Sequence, residues 1–474
     1  MEQLGGQDAS FLYFETPATH MHIGSVALYD QSSAPGGRVR FRDLVDGVRK
    51  RLHLAKCFRR RVVEVPLQLD HPYWLEDRHF DLEYHVRHIA LPPPGDWRQL
   101  CRQSARLHSY PLNRAHPLWE MTVISGLKNV QGLAEGSFAV LLKVHHAAID
   151  GATGAALTEV IHDQSPKPER VPLPDKIWAG EPEPSAPELM ARTFGNNVLQ
   201  PFRFAEVLSR TVPAMQRMSA SLGNAELVGH AASRMNVPRT RFNAPVTAHR
   251  VMDGRSYPLE AMRRIKRAVD GATINDAVLT VIGGALRRYL QAHDELPDMS
   301  LSAMAPINVR NAEESAAEGN RVAAMTASLG TDIDNPVERL AAVRDGTRQS
   351  KALTDAIGAR LMTDYSRFIP AQLASLAARL YTSYGMAERA LPAFNCVVTN
   401  VPGPQKPLYL AGAKLLRTHG LGPLFDGMGL IFPVLSYDGG ITLSFTSCRE
   451  MLPDPERLAE ALDESFQSLS SAAR

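Results

Sequence analysis

The chain has 474 residues, of which 44% are hydrophobic and 22% are charged, and its formal net charge is +2. This length predicts two domains of about 150 to 250 residues each, and the near-balanced charge argues against a nucleic acid or an acidic protein as partner. Because the first residues lack a basic region followed by an apolar run, and no apolar stretch reaches about 18 residues, we expect a cytoplasmic or peripheral protein.

Strand and helix patterns alternate in the first part of the chain. Apolar residues predict a strand in GSVALYD (24–30), an amphipathic helix in FRDLVDGVRKRL (41–52) and a strand in RVVEVPLQ (61–68). FAVLLKV (138–144) has the pattern of a buried strand, and GATGAALTEVI (151–161) that of a helix after it. This part is therefore predicted to be a mixed α/β unit.

A compositional break follows these elements. Residues 163–187 are crowded with prolines, which sustain neither a helix interior nor a central strand. We interpret this segment as a crossover linker, followed by helices up to about Pro238. The predicted organisation is an N-terminal domain (1–165), a linker with helices (166–240) and a C-terminal domain (241–474).

The last part of the chain again mixes both patterns. The predicted elements are a strand and a helix in RSYPLEAMRRIKRAVD, a long helix in INDAVLTVIGGALRRYLQAH, and strands in LSAMAPINVR, AFNCVVTNVPG and GLIFPVLSYDGGITLSFTS. The SYDGG turn predicts a hairpin in which glycine supplies a positive φ. The fold class is therefore α/β of the α+β type, with a mixed sheet and flanking helices in each of two domains.

The run HHAAIDG (145–151) stands at the predicted turn between a strand and a helix. An imidazole has an unperturbed pKa of about 6.5 and can take a proton from a hydroxyl near neutral pH. The alternatives are a hydrogen-bonded core feature and a metal site. Against metal, adjacent strand residues point to opposite faces, and no Cys or further His lies nearby at zinc-ligand spacing. The four cysteines form no CxxC, which favours reduced thiols.

HHxxxDG is the signature of the chloramphenicol-acetyltransferase-like superfamily, which the chain resembles at this point. Over nearly its whole length the chain resembles the bacterial wax ester synthase/acyl-CoA:diacylglycerol acyltransferase family. The matching pieces are, in order, DASFLYFETPATHMHIGSVALYD, HFDLEYHVRHIALPPPG, PLNRAHPLWEMTVISGL, HHAAIDG, TINDAVLT, MAPINVR, NVPGP and SYDGGITLSF. The resemblance implies two chloramphenicol-acetyltransferase-like domains with an active-site tunnel at their interface.

The resemblance assigns roles within the histidine motif. In the superfamily the second histidine is the general base of acyl transfer from a thioester, which here is His146, while His145 is expected to face away from the acceptor. Asp150 is expected to be structural, paired with an arginine so that the turn holds the imidazole, and Arg310 is the candidate partner. Gly151 is expected to line the substrate site.

The PLW and ND motifs carry further candidates. Pro117 is expected to be structural, and Trp119 is either a buried aromatic or, as the resemblance implies, a wall of the substrate channel. Asn275 is the candidate donor to the oxyanion of the transition state. Asp276 either closes a capping box with Thr273 or contacts the substrate.

NVPGP supplies the remaining candidate contacts. Gly403 and the prolines are expected to shape a turn. That turn crosses between the domains in the implied fold, so Thr399 and Asn400 are expected to face the tunnel. Thr399 stands where a serine is common in the family.

A basic run extends from Arg38 to Arg61. The ordinary explanation is a solvated helix face. The alternative is attraction to anionic lipid headgroups or to the phosphates of coenzyme A. The run consists mainly of Arg49, Lys50, Arg51, Lys56, Arg59, Arg60 and Arg61.

Three functions remain open. The resemblance implies an acyl-CoA-dependent O-acyltransferase that makes wax ester or triacylglycerol from a fatty alcohol or a diacylglycerol, with acyl-CoA as cosubstrate and no cofactor. The alternatives are a condensation-type or polyketide-associated acyltransferase with carrier-bound substrates, and a non-catalytic lipid-droplet protein. The first function predicts peripheral binding to a membrane or lipid-droplet surface, and the oligomeric state is left open.

Overall fold

The computed structural model describes residues 1–149, 158–167, 170–174, 178–196, 198, 237–308, 322–357 and 391–473. These residues form two six-stranded sheets and one three-stranded sheet. The strands are β1 Glu2–Gln3, β2 His22–Asp30, β3 Arg60–Val63, β4 Tyr73–Glu76, β5 Val86–Ala90, β6 Trp119–Ser125, β7 Phe138–His145, β8 Arg250–Pro258, β9 Ser302–Asn308, β10 Val322–Ser328, β11 Cys396–Pro402, β12 Tyr409–Leu410, β13 Ala413–Leu421, β14 Leu430–Tyr437 and β15 Gly440–Cys448. The helices are α1 Gly6–Tyr13, α2 Phe41–Arg51, α3 Leu82–His85, α4 Trp97–Ser109, α5 Leu259–Lys266, α6 Ile274–Gln291, α7 Pro336–Ile357 and α8 Pro455–Ala472, and residues 158–161 and 186–196 are also helical.

The first sheet has the order β12-β13-β2-β7-β6-β5, and only its β5–β6 pair is parallel. The second has the order β10-β9-β11-β14-β15-β8, with β11 parallel to both of its neighbours. The predicted mixed sheets with flanking helices are therefore confirmed. The third sheet has the order β1-β4-β3.

The second half of the chain contributes two strands to the first sheet. Strands β12 and β13 come from the predicted C-terminal domain, yet β13 pairs antiparallel with β2 at the edge of the first sheet. The predicted domain bounds stay a prediction, but residues 409–421 lie with the N-terminal sheet. The reason is packing, because Leu410 and Leu415 are buried in the same core as Tyr29 and Val45.

The apolar patterns place the helices correctly. Leu44, Val45 and Val48 on one face of α2 are buried, and α6 is buried over most of its length in the core of the second sheet. The hairpin between β14 and β15 turns at Gly439, whose φ is 77° as the SYDGG pattern predicts. The strand predicted over residues 61–68 is wrong in its second half, since β3 ends at Val63 and Pro66 begins a short 3₁₀ turn.

Candidate active site

Backbone hydrogen bonds to the residues just before the two neighbouring strands, β6 and β2, fix the histidine pair at the end of β7. His145 is the last residue of β7, and His146 begins a 3₁₀ helix that ends at Ala148. The backbone N–H of His145 donates to the oxygen of Leu118 at 2.9 Å, and that of His146 donates to the oxygen of Met21 at 2.8 Å. The predicted strand end is confirmed. Of the helix predicted over residues 151–161, residues 158–161 are helical and the others lie outside the described residues.

The side chain of His145 faces the protein interior and is 1% exposed. Its Nδ1 accepts the N–H of Ala147 at 3.0 Å, while its Nε2 lies 3.2 Å from Oε1 of Glu15. An Nδ1 that accepts a hydrogen bond carries no proton, so the proton of a neutral His145 is on Nε2. His145 therefore connects the turn to the loop after α1.

Glu15 is the centre of a small buried network. Its Oε1 accepts the backbone N–H of Met21 at 3.0 Å, and its Oε2 accepts Nη2 of Arg114 at 2.7 Å. Burial acts to raise the pKa of Glu15, but the side-chain hydrogen bonds of His145 and Arg114 and the positive charge of Arg114 outweigh it and lower the pKa to about 2. The carboxylate is therefore ionised over the physiological pH range.

Two further buried histidines lie beside His145. The ring of His22, its partner on β2, is 5.8 Å from that of His145, and the ring of His108 is 6.2 Å from that of His22. Burial lowers the pKa of His22 well below its usual value, and burial together with the charge of Lys143 lowers that of His108 to about 3. Both imidazoles are therefore neutral near pH 7.

His146 is oriented by a ring contact with α1. Its imidazole, which is half-buried, stacks on Phe11 with ring centroids 3.9 Å apart and an angle of 18° between the planes. A face-to-face contact fixes the plane of the ring, and Nδ1 of His146 is shielded from solvent. His145 and His146 thus point in different directions, as the alternation of a strand end requires.

The remaining residues of the motif lie outside the described residues. These residues are Asp150 and Gly151. Arg310, the arginine predicted to pair with Asp150, also lies outside the described residues. Their roles stay predictions.

The PLW motif lies in the core beside the histidines. Pro117 is buried just ahead of β6. Trp119 is 1% exposed, its Nε1 donates to the oxygen of Phe58 at 3.0 Å, and its indole stacks on His85 with centroids 4.5 Å apart. The structure matches the buried-aromatic alternative, and the role of Trp119 in a channel wall stays a prediction.

The ND motif begins α6. Asp276 closes a capping box with Thr273, whose N–H and hydroxyl both donate to Oδ2 of Asp276 at 2.7 Å, and Thr347 donates to Oδ1 at 2.6 Å. The capping interpretation is therefore confirmed, and both carboxylate oxygens already accept hydrogen bonds. Asn275 is half-buried, and its Oδ1 accepts Nδ2 of Asn400 at 3.5 Å.

The NVPGP segment completes this second group. Thr399 and Asn400 lie in the middle of β11, where Thr399 is half-buried and Asn400 is exposed. Gly403 donates its N–H to the oxygen of Ser436 at 2.9 Å, and a Cβ at Gly403 would lie only 2.3 Å from that oxygen. Gly403 is needed for this close backbone approach. The predicted site residues thus form two groups, the histidines and PLW on the first sheet and Asn275, Asn400 and their neighbours on the second.

Glu15, Phe11 and His22 are functional candidates that the sequence interpretation left unassigned. All three lie in DASFLYFETPATHMHIG, the first piece on which the family resemblance is based. That resemblance is the signal that could have found them. Among the described residues, no group of three His, Cys, Asp or Glu side chains could hold a metal ion.

The basic run is not a uniform solvated face. Arg51 is 7% exposed and bonds the buried carboxylate of Asp163, Arg60 pairs with Glu2 at 2.8 Å, and Arg61 pairs with Glu183. The interpretation as a solvated helix face is wrong for these three arginines, since α2 and β3 turn them toward acids distant in sequence. In the part of the chain that the structure describes, no helix is both long and apolar enough to cross a membrane.

Comparison with known proteins identifies the family. Residues 4–278 match the wax ester synthase/diacylglycerol acyltransferase catalytic domain, and residues 318–470 match the C-terminal domain of the same family. The chain belongs to the wax ester synthase/diacylglycerol acyltransferase family. It is an acyltransferase by membership of that family.

Individual relatives agree with this assignment. A Mycobacterium tuberculosis protein named as a diacylglycerol O-acyltransferase is 33% identical over 485 residues, covering 99% of this chain and 90% of the relative. The wax ester synthase/diacylglycerol acyltransferase from Marinobacter aquaeolei has a similar structure, with a TM-score of 0.69, 26% identity and 99% of each chain covered. The first condensation domain of the calcium-dependent antibiotic synthetase, with a TM-score of 0.57, 15% identity and 100% and 96% of the two chains covered, shares the fold.

Proposed function

We propose that this acyltransferase moves a long-chain acyl group from acyl-CoA to the hydroxyl of a fatty alcohol or a diacylglycerol. The observation that carries the proposal is the orientation of His146, which is stacked on Phe11 at the end of β7. This contact supports the proposal because a general base must be held in place to meet a substrate hydroxyl. The names of the relatives support the choice of substrates.

The proposed reaction is a direct transfer. The alcohol oxygen attacks the thioester carbon while its proton passes to the neutral imidazole of His146. The tetrahedral oxyanion then collapses, the carbon–sulfur bond breaks, and the imidazolium returns the proton to the departing thiolate. The products are an ester and free coenzyme A.

Asn275 is the proposed side-chain donor to the oxyanion. Because its Oδ1 accepts from Asn400, the Nδ2 group is the end of the amide that is turned away from Asn400 and able to donate. Asn275 also lies in the first turn of α6, where the helix dipole favours negative charge. A preorganised donor at such a position stabilises the charge that develops in the transition state.

The acceptors dissolve in membranes and oil, so we expect the protein to bind a membrane or lipid-droplet surface peripherally. Arg60 and Arg61 are engaged by acids, which leaves Lys50 and Arg170, both exposed, as better candidates for an electrostatic contact. Binding to anionic vesicles should then weaken as salt rises.

The test is to incubate the purified protein with palmitoyl-CoA and each acceptor while following free thiol and ester. Thiol release that depends on the acceptor and equals ester formation supports the proposal. Acceptor-independent release, or an acyl group bound covalently to the protein by mass spectrometry, contradicts direct transfer.

A further inference from the structure

A cavity of about 490 Å³ lies between the end of α2, the start of β3 and the proline-rich segment after the first domain. Its cationic walls come from Arg49, Lys50, Arg59 and Arg170, and no carboxylate is among the described residues that line it. Two of these cations have acids nearby, since Arg49 pairs with Asp46 at 2.6 Å and Nη2 of Arg59 lies 4.0 Å from Oε1 of Glu76. A concave surface with one sign of charge and low-dielectric walls concentrates the field on an anion.

Three nitrogen atoms in this cavity wall are shielded from solvent and have no hydrogen-bond partner among the described residues. They are Nε2 of His53, Nε of Arg59 and Nε1 of Trp178. Those of Arg59 and Trp178 can only donate, and that of His53 can donate. Buried donors are almost always satisfied in native proteins, so this set calls for an acceptor that enters the cavity.

An aromatic wall stands beside these donors. The guanidinium carbon of Arg59 lies 5.6 Å from the centroid of Trp178, and Phe80 meets the same indole edge-on at 5.7 Å. Phe80 in turn lies 6.5 Å from Trp119, which pairs with Val144 next to His145. A chain of ring contacts, one edge-on and one stacked, therefore leads from the cavity toward the histidine motif.

We infer that this cavity binds the phosphate groups of a ligand that carries a ring or an apolar part beside them. Phosphate supplies several acceptor oxygens for the unpartnered donors and a charge complementary to the cations. Two sources share this chemistry, the nucleotide end of coenzyme A and the headgroup of an anionic phospholipid. The first source rests on the proposed use of acyl-CoA.

The experiment measures binding by the full chain without turnover. The probes are adenosine 3′,5′-bisphosphate, by calorimetry, and phosphatidylglycerol vesicles compared with phosphatidylcholine vesicles, by flotation. The variants are Lys50→Gln, which removes a cavity charge, and Trp178→Phe, which keeps the ring and removes its N–H. The matched control is Arg42→Gln, the same loss of charge on α2 at a side chain that is 88% exposed and does not line the cavity.

The inference predicts that one probe binds and that both cavity variants weaken it at least fivefold, while Arg42→Gln does not. Weakened bisphosphate binding identifies the nucleotide source, and weakened vesicle binding alone identifies the phospholipid source. Absence of binding, or equal binding by all four proteins, overturns the inference. Acceptor-dependent thiol release by the wild type is measured in parallel, so failure of the proposed function is seen separately.

Discussion

Nε2 of His145 lies 3.2 Å from Oε1 of Glu15, and this contact ties the turn that carries His146 to the loop after α1. Glu15 also accepts hydrogen bonds from the backbone N–H of Met21 and the side chain of Arg114. The backbone oxygen of Met21 in turn accepts the N–H of His146. The first histidine of the pair is therefore a positioning residue. In the proposed reaction its neighbour His146 meets the substrate.

Glu15→Gln should lower stability and turnover together. The amide keeps the shape of the side chain but loses the charge that His145 and Arg114 meet, which we expect to cost on the order of 1–3 kcal/mol. The turn would then shift, and a displacement of about 1 Å at a catalytic group can reduce turnover by about a hundredfold. Thermal unfolding and steady-state kinetics check this, and lost turnover with unchanged stability would point instead to direct participation in the reaction.

The pKa of His108, lowered to about 3 by burial and by the charge of Lys143, predicts a pH dependence of stability. Below the unfolded pKa of about 6.5 the unfolded chain binds a proton that the folded chain does not, so this residue lowers stability as pH falls toward 3. The unfolding free energy should fall by about 1.4 kcal/mol per pH unit through this residue. His108→Gln should reduce the slope of the unfolding free energy against pH by the equivalent of one proton between pH 5.5 and 4. An unchanged slope, with the free energies measured by urea titration, would contradict the assignment.

Substitutions of Asn275 and Asp276 should distinguish a catalytic role from a structural role. Asn275→Ala removes the proposed oxyanion donor and should lower kcat by about 10²- to 10³-fold with little change in Tm. Asp276→Ala removes the capping box and the bond from Thr347, and should destabilise the protein by about 1–2 kcal/mol or more. The reverse pattern, a stable but inactive Asp276 variant and an active Asn275 variant, would exchange the two roles.

The local elements follow from the sequence more fully than their partners do. Apolar periodicity predicts α2 and α6, and the Thr273–Asp276 spacing predicts the capping box, because these features depend on neighbours within a few residues. The place of β13 in the first sheet does not follow, since it depends on pairing with β2 hundreds of residues away. Local patterns carry no signal for such a partner.

The candidate site shows the same division. HHAAIDG indicates the base through the family resemblance, which is readable because the residues of the motif lie close together in sequence. Glu15 was missed because Arg114, one of its partners, is 99 residues away. Three arginines of the basic run were misinterpreted because composition does not show which charges the fold buries or pairs.

Arg51 should stabilise the fold rather than bind lipid. It forms a buried ion pair with Asp163, and removing one partner of such a pair typically costs about 3–5 kcal/mol. Arg51→Gln should therefore lower Tm markedly. Arg49→Gln on the same helix breaks only an exposed pair with Asp46 and should change stability by less than about 1 kcal/mol. Equal Tm values for the two variants would contradict this division.

The central claim is that His146 is the general base, and turnover by His146→Ala tests it most directly. Acceptor-dependent release of free thiol from palmitoyl-CoA would be compared between the wild type and the variant, with thermal unfolding as the control for folding. We predict an intact fold and a loss of turnover of roughly 10²- to 10⁴-fold, the usual contribution of a positioned base. A folded variant with turnover close to that of the wild type would contradict the account.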